Sequence, residues 1–366
     1  MAAEKRSGHC RLKQALILRD ALAAELGLDW AKAMAPLYNV EDNAGAARAL
    51  DEGRYLDALA ALCLNDKSRL AHLHGLVHAA CGRVKLAPRY AQYLALLLFA
   101  HWHEAQQDDS AAFLARLNAW LAAHPPPHEK LEPFSAEDLQ MAAFWMATAA
   151  GKTHVLHACL ALLDGGDWER VFIVTPSESL TRQHADKLRE LGEWAVFAYP
   201  FDGDRTALGR LPPEAVIIID INKLADTQKG DGLAIPTSVF QEGRNLVFVD
   251  EGHKGQKSEA SVWKKLQQDL AGLGAPAPRR RGLLVEFSAT FGQVAEAEHA
   301  FSRYAKSIVF DYAYDRFHAD LYGKDFWHAK LDGRGEAGPA AYRQTLTAAL
   351  LAYWHQLATF QCSASR

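Results

Sequence analysis

The spacing of apolar residues is helical over the first third of the chain. Apolar positions recur every three or four residues in RYLDALAALCLND (residues 54–66) and AAFLARLNAWLAAH (residues 111–124). Alanine and leucine, two strong helix formers, are abundant there, and no alternating strand pattern interrupts them. Residues 1–126 are therefore predicted to form a helical N-terminal domain.

A different pattern begins after the proline-rich segment HPPPHEK, through which no helix can continue. Short, mostly apolar runs then alternate with helical stretches, and they lie at residues 171–175, 216–220, 246–250, 283–288 and 307–311. Such runs are typical of parallel strands that are buried on both faces, so residues 127–320 are predicted to form an α/β domain of βαβ units. Residues 321–366 are predicted to be a linker or the start of another domain.

Composition excludes several classes of protein. The chain has 366 residues, 49% of them hydrophobic, and its net charge of −4 provides no strong global attraction for nucleic acid. Its five cysteines form no CxxC pair, which argues against a disulfide framework or a zinc site. The N-terminus lacks the apolar stretch of a signal peptide, and the longest apolar run (residues 93–102) is far shorter than the ~20 residues of a membrane helix. A cytoplasmic protein without a membrane partner is therefore expected.

Candidate chemistry lies where the predicted strands end, because ligands of parallel sheets bind beyond the carboxyl ends of the strands. The stretch FWMATAAGKTHVL reads as a strand, a small-residue turn and a helix, which is the context of a phosphate-binding loop. Lys152 would contact the β- and γ-phosphates, and Thr153 would bind Mg²⁺. The backbone of Ala149, Ala150 and Gly151 would surround the phosphates. Such loops usually have glycine at the position of Ala149, and an isolated Gly-Lys-Thr triplet also occurs by chance.

The stretch LVFVDEGH places two acids at the end of another predicted strand. A metal–phosphate site needs an acid to orient Mg²⁺, which is the role expected of Asp250. A second acid can polarise the attacking water, and Glu251 is the candidate. His253 could sense the γ-phosphate or relay to bound nucleic acid. A solvated acidic turn is the alternative for this stretch taken alone.

Small hydroxyl residues follow two further strands. In EFSATFG, Ser288 and Thr290 could hydrogen-bond the acidic turn, although simple turn chemistry would also explain them. In FIVTPSESLTRQ, a strand ends at Thr175 and a helix follows with Ser177 as its cap. Thr175, Ser177 and Thr181 are candidate contacts to a phosphodiester backbone, and helix capping alone would explain Ser177 equally well.

The four motifs together resemble those of superfamily 2 helicases and translocases, which include DEAD/DEAH-box proteins and the motor (Res) subunits of type III restriction enzymes. MATAAGKT resembles motif I, VTPSESLTRQ motif Ia, VDEGH motif II and FSAT motif III. The sequence is most similar to the restriction-type members, and the resemblance covers residues 134–330. It implies a RecA-like parallel-sheet domain that binds ATP and Mg²⁺ and grips nucleic acid, with DNA favoured over RNA.

The resemblance also implies roles for the strand-end residues. Lys152, Asp250 and Glu251 would be catalytic, and residues 149–153 together with His253 would bind the nucleotide. Thr175, Ser177 and Thr181 would contact nucleic acid, while Ser288 and Thr290 would couple hydrolysis to strand grip. The function implied is an ATP-dependent motor that serves DNA restriction or phage defence.

In this family a second RecA-like domain or subunit supplies arginines that reach the transferring phosphate, and residues 311–366 hold no element of the form Q-x-x-G-R-x-x-R. We therefore expect that the sequence covers the N-terminal part of such a motor and turns over ATP slowly by itself. A methyltransferase or nuclease subunit is a further candidate partner. The alternative is a catalytically incomplete scaffold that binds nucleotide or DNA.

Overall fold

A computed structural model describes residues 8–63, 67–127, 129–225, 235–237, 243–251, 266–273, 282–294, 298–323 and 339–364. Contacts divide the chain into one compact unit of residues 1–320 and a second unit of residues 321–366. Within the described residues, no helix is both long enough and apolar enough to span a bilayer.

The first part of the chain is helical, as predicted. Its helices are α1 (Gly8–Lys13), α2 (Ile17–Glu25), α3 (Trp30–Ala44), α4 (Ala46–Asp51), α5 (Arg54–Leu62), α6 (Lys67–Arg83) and α7 (Tyr90–Ala123). The long apolar run is the buried first half of α7, which packs against α2, α6 and the sheet. A helix buried on all sides is apolar on all sides, which explains the absence of an amphipathic period in that run.

The second part alternates strands and helices. In order it contains β1 (Met141–Met146), α8 (Lys152–Leu163), β2 (Arg170–Thr175), α9 (Glu178–Leu191), β3 (Val196–Tyr199), α10 (Arg205–Leu208), β4 (Val216–Asp220), β5 (Leu224–Ala225), β6 (Ile235–Pro236), β7 (Asn245–Asp250), β8 (Leu283–Ser288), α11 (Phe291–Val294), α12 (Glu298–Ser307), β9 (Ile308–Tyr312) and α13 (Tyr314–Ala319). The unit of residues 321–366 contains α14 (Pro339–Ala364).

Seven of the strands form one parallel sheet in the order β3-β4-β2-β7-β8-β1-β9, while β5 and β6 pair separately. The predicted α/β class is thereby confirmed, and each of the five apolar runs forms a strand within one residue of its expected bounds. Strand β3 was not predicted, because its four residues at the sheet edge give a short pattern.

Helices from the first part of the chain cover both faces of this sheet. On one face of β1, Trp145 belongs to a cluster with Leu12 of α1 and Tyr304 of α12. On the other face, Phe144 stacks on Phe287 of β8 and packs against Phe99 of α7. Successive strand residues point to opposite faces, so α1 and α7 lie on opposite sides of the sheet. The separate helical domain over residues 1–126 stays a prediction, since these helices share one compact unit with the sheet.

Candidate nucleotide site and strand-end motifs

The loop between β1 and α8 has two residues in the left-handed region. Ala149 has φ +67° and Gly151, the N-cap of α8, has φ +83°. The loop is closed by a hydrogen bond of 3.1 Å from the Ala150 N–H to the Ala147 carbonyl. A left-handed conformation at a non-glycine residue costs about 1–2 kcal/mol, so alanine in place of glycine at position 149 strains the backbone of this loop.

A glutamine of the helical layer holds this loop. The Nε2 of Gln92, on α7, donates to the Ala150 carbonyl at 3.1 Å, and its Oε1 accepts from the Arg89 N–H at 2.9 Å. A Cβ on Gly151 would lie 2.2 Å from the Gln92 Nε2. The φ of Gly151 favours glycine at this position, and a Cβ there would displace the Gln92 amide from the loop. Sequence reasoning missed Gln92, although a lone amide inside the apolar run YAQYLALLLF signals a buried polar partner.

The phosphate-loop residues and the acidic turn face the same cavity of about 740 Å³. Strand β8 separates β1 from β7, so the two strand ends are two strand spacings, or about 10 Å, apart. Lys152 Nζ lies 3.3 Å from Glu251 Oε1 across this gap, and both side chains are largely buried. Glu251 itself has φ +57°, so it is, after Ala149, a second strained residue that lines this cavity. Thr153 and Asp250 also line the cavity.

Asp250 ends β7 and faces inward as well as toward the cavity. Its Oδ2 lies 3.3 Å from Nε2 of His184 on α9, and Nδ1 of His184 lies 3.0 Å from Nε2 of His157 on α8. All three side chains are buried. Burial, reinforced by the neighbouring His184, lowers the pKa of His157 to about 2, so this ring is neutral. The sequence contains both histidines, but their meeting depends on the packing of α8 against α9.

The FSAT residues lie between the phosphate loop and the acidic turn, because they end the strand between them. Ser288 pairs in register with Trp145 of β1, and its Oγ accepts from the Thr290 N–H at 3.1 Å. The Trp145 Nε1 donates to the Ala289 carbonyl at 3.1 Å, which fixes the turn. Among the described residues, the buried Thr290 Oγ1 has no hydrogen-bond partner. Turn chemistry is observed here, and a coupling role stays a prediction.

The hydroxyls after β2 are bonded to one another. Thr175 Oγ1 lies 2.6 Å from Thr181 Oγ1, and both groups bond the Ser177 carbonyl. Both threonines are buried, and Ser177 caps α9 by accepting from the Leu180 N–H. The capping interpretation describes these contacts, and direct contact of the three residues with a phosphodiester stays a prediction. Ser179, exposed in the first turn of α9, is the more accessible hydroxyl.

The structure therefore brings Lys152, Thr153, Asp250 and Glu251 to one cavity. His253 lies outside the described residues. The catalytic and ligand roles expected for all these residues stay predictions.

A family model described as type III restriction enzyme, res subunit (ResIII), matches residues 100–293, more than half of the chain. No curated protein matches the chain. Solved structures that match include the UvsW helicase from bacteriophage T4, with 12% identity, a TM-score of 0.32 and coverage of 50% of this chain and 61% of that chain. T. fusca Cas3 matches in its AMPPNP form, with 15% identity, a TM-score of 0.28 and coverage of 79% of this chain and 50% of that chain. Its ADP form matches with 15% identity, a TM-score of 0.30 and coverage of 86% of this chain and 52% of that chain. The chain thus spans about half to three-fifths of the length of these proteins.

Proposed function

The chain belongs to the family of type III restriction enzyme res subunits, and on that premise we propose that it is the nucleotide-binding part of an ATP-dependent superfamily 2 helicase or translocase. The observation that carries the proposal is the convergence of Lys152, Asp250 and Glu251 on one cavity at the carboxyl edge of the sheet. That edge is where ligands of parallel α/β sheets bind.

The residues of the cavity fit Mg²⁺ bound together with ATP. Magnesium prefers oxygen ligands and is commonly held by one or two protein groups, with waters and substrate phosphates completing the shell. Asp250 Oδ1 accepts no hydrogen bond from the described residues, and the Thr153 hydroxyl lines the same cavity. The described residues contain no cluster of three or more His, Cys, Asp or Glu that could hold a metal by themselves. This donor set suits a metal that arrives with the nucleotide.

Mg·ATP, when bound, supplies the phosphoryl group and part of the charge neutralisation. Lys152 would leave Glu251 for the phosphates, since a polyphosphate carries more negative charge than one carboxylate. Glu251, released from that ion pair, would accept the proton of the attacking water. Asp250 would orient the metal.

The nucleic acid is proposed to be DNA, in restriction or phage defence, and family membership is the support for this assignment. A second RecA-like domain, in the same polypeptide or in another subunit, would supply the arginines that complete the site. Such an arginine contributes about 10³–10⁵ in rate where it has been measured. A methyltransferase or nuclease subunit is the further partner that a restriction complex would contain.

The direct test compares ATP binding and ATP turnover, each with and without DNA. Wild type is expected to bind Mg·ATP, while Glu251→Gln is expected to bind it equally well and to lose DNA-stimulated turnover in the completed motor. Absence of binding at millimolar nucleotide would contradict the proposal.

The second candidate is a scaffold that binds DNA or a partner without hydrolysis. The strained Ala149 favours it, because the strain weakens a phosphate loop, and the Lys152–Glu251 pair crosses the cavity that phosphates would enter. The scaffold predicts that adding a second RecA-like domain leaves turnover at background. The motor predicts a large increase.

A further inference from the structure

The buried histidines His157 and His184 have no role in the proposed hydrolysis, but His184 contacts Asp250, which does have one. Asp250 is an acceptor when ionised, so the 3.3 Å contact requires the Nε2 of His184 to carry the proton. In a neutral imidazole the other nitrogen is then an acceptor. Nε2 of His157, at 3.0 Å, must donate to it. With both rings neutral, the hydrogen bonds run in one direction, from α8 through α9 to the end of β7.

The chain of bonds starts on the helix that carries the other candidate metal contact. Thr153 and His157 are four residues apart on α8 and share one face of it. Thr153 lines the cavity, while His157 points into the interior toward His184. The two histidines thus connect α8 to the end of β7, and Thr153 of α8 and Asp250 of β7 line the same cavity.

We propose that His184 is a positioning residue for Asp250 and that His157 holds His184 in the tautomer this requires. His184 occupies Oδ2 of the Asp250 carboxylate, and Asp250 also lines the cavity. Partners of metal-binding carboxylates commonly set affinity in this way, with 10–100-fold losses when they are removed. The inference rests on the proposed function, because Asp250 is assigned to Mg²⁺ there.

The test uses Mn²⁺ as a spectroscopic substitute for Mg²⁺, with AMPPNP as the nucleotide, on the full chain. Electron paramagnetic resonance gives the Mn²⁺ affinity at saturating nucleotide, and a fluorescent analogue in EDTA gives metal-free nucleotide affinity. His184→Phe is expected to weaken Mn²⁺ binding by about 10–100-fold, and to leave metal-free nucleotide binding unchanged, because that depends on Lys152. His184→Gln, whose amide places a donor near the original Nε2, is expected to recover most of the loss.

A matched control is His101→Phe. His101 is also buried and also bonds an acid, with 3.1 Å between its Nε2 and Glu25 Oε2, but it lies in the helical layer. This variant should bind Mn²⁺ as wild type does, whatever it does to the melting temperature. Equal Mn²⁺ loss in His101→Phe and His184→Phe would assign the effect to general destabilisation and overturn the inference.

A second measurement needs neither nucleotide nor a substituted protein. Nitrogen-15 chemical shifts of the imidazoles should identify both His157 and His184 as Nε2–H tautomers. An Nδ1–H tautomer at His184 would overturn the inference, even if every variant failed to fold. If wild type binds nucleotide and Mn²⁺ and His184→Phe binds Mn²⁺ equally well, the inference fails and the proposed function stands. If wild type binds no Mn²⁺ with AMPPNP, the proposed function fails and the inference fails with it.

Discussion

Two strands of the sheet end in aspartate after a run of four apolar residues, and the two carboxylates have different surroundings. Strand β4 reads VIIID and β7 reads NLVFVD, and both strands pair with β2. Asp220 accepts from the backbone N–H and the side-chain amide of Asn222, each at 2.8 Å, and so caps a short 3-10 helix. Asp250 is bonded instead by His184, 66 residues away in sequence.

The comparison shows that burial and position at a strand end do not assign a role to an aspartate. Asp220 and Asp250 are 4% and 6% exposed, so accessibility does not separate them. Their hydrogen-bond partners do separate them. A carboxylate that caps a neighbouring turn is used up by that turn, whereas a carboxylate bonded by a residue distant in sequence can be held toward a cavity. The residues that follow the two aspartates also differ, because Glu251 after β7 is left-handed, whereas Ile221 after β4 is absent from the left-handed non-glycine positions of the described residues.

The largest expected difference comes from removing the charge at each strand end. Asp250→Asn should weaken Mg²⁺-dependent nucleotide binding by about 100-fold or more, since a direct metal contact matters at least as much as its outer partners. Asp220→Asn should bind normally and keep its stability, because asparagine caps about as well as aspartate. Calorimetric titration of Mg·AMPPNP into both variants tests the contrast. Equal affinities would show that the two carboxylates are equivalent and remove the metal assignment from Asp250.

Lysines give a second contrast within the same cavity. Lys152→Ala should weaken nucleotide binding by about 10–100-fold, which corresponds to loss of a charged hydrogen bond of about 1.5–3 kcal/mol. Lys187 lines the cavity from α9 but pairs with Glu190 at 3.0 Å and is more exposed. Lys187→Ala should therefore change affinity by no more than about twofold, as surface ion pairs contribute little. Fluorescence titration of the nucleotide in EDTA measures the contribution of each lysine to affinity in the absence of metal. A larger effect of Lys187→Ala would move the phosphate site toward α9.

The sequence predicted the features that local patterns encode, but it did not predict the contacts between residues far apart along the chain. The parallel sheet followed from apolar runs at β2, β4, β7, β8 and β9, because strands buried on both faces need apolar residues throughout. The phosphate loop and the acidic turn were predicted from motifs at strand ends. Gln92 and His184 were not, since each acts on a segment 58 or 66 residues away and neither sits in a local pattern. The mutual hydrogen bond of Thr175 and Thr181 was not predicted either, because it depends on how α9 packs against the end of β2.

The strand between the two aspartates gives a third test. Strand β2 ends in the turn that carries Ser177, and nucleic-acid binding there would involve a few backbone phosphates. If about three phosphates are contacted, affinity for single-stranded DNA should fall roughly 20-fold as salt rises fourfold, and it should not depend on sequence. Fluorescence anisotropy at several salt concentrations measures the slope. Affinity that is unchanged by salt would contradict binding through the phosphate backbone.

The smallest expected effect concerns the strained loop that faces Asp250. Ala149 is left-handed, and glycine adopts that conformation at no steric cost, so Ala149→Gly relieves about 1–2 kcal/mol of native-state strain. Glycine also loses more conformational entropy on folding, by about 0.4–1 kcal/mol, so the melting temperature should rise only slightly. Nucleotide affinity should rise a few-fold, because a loop without the Cβ can approach the phosphates more closely.

Ala150→Gly is the matched control, since the same side chain is removed one residue further along the loop. Ala150 is 9% exposed and is absent from the left-handed non-glycine positions of the described residues. Glycine at position 150 should therefore lose more conformational entropy on folding than alanine does, without relieving any backbone strain. We expect Ala149→Gly to have the higher melting temperature and the tighter Mg·AMPPNP binding of the two variants, by differential scanning fluorimetry and calorimetry. If both variants bind more weakly than wild type, alanine already suits this loop, and strain at position 149 does not limit the site beside Asp250.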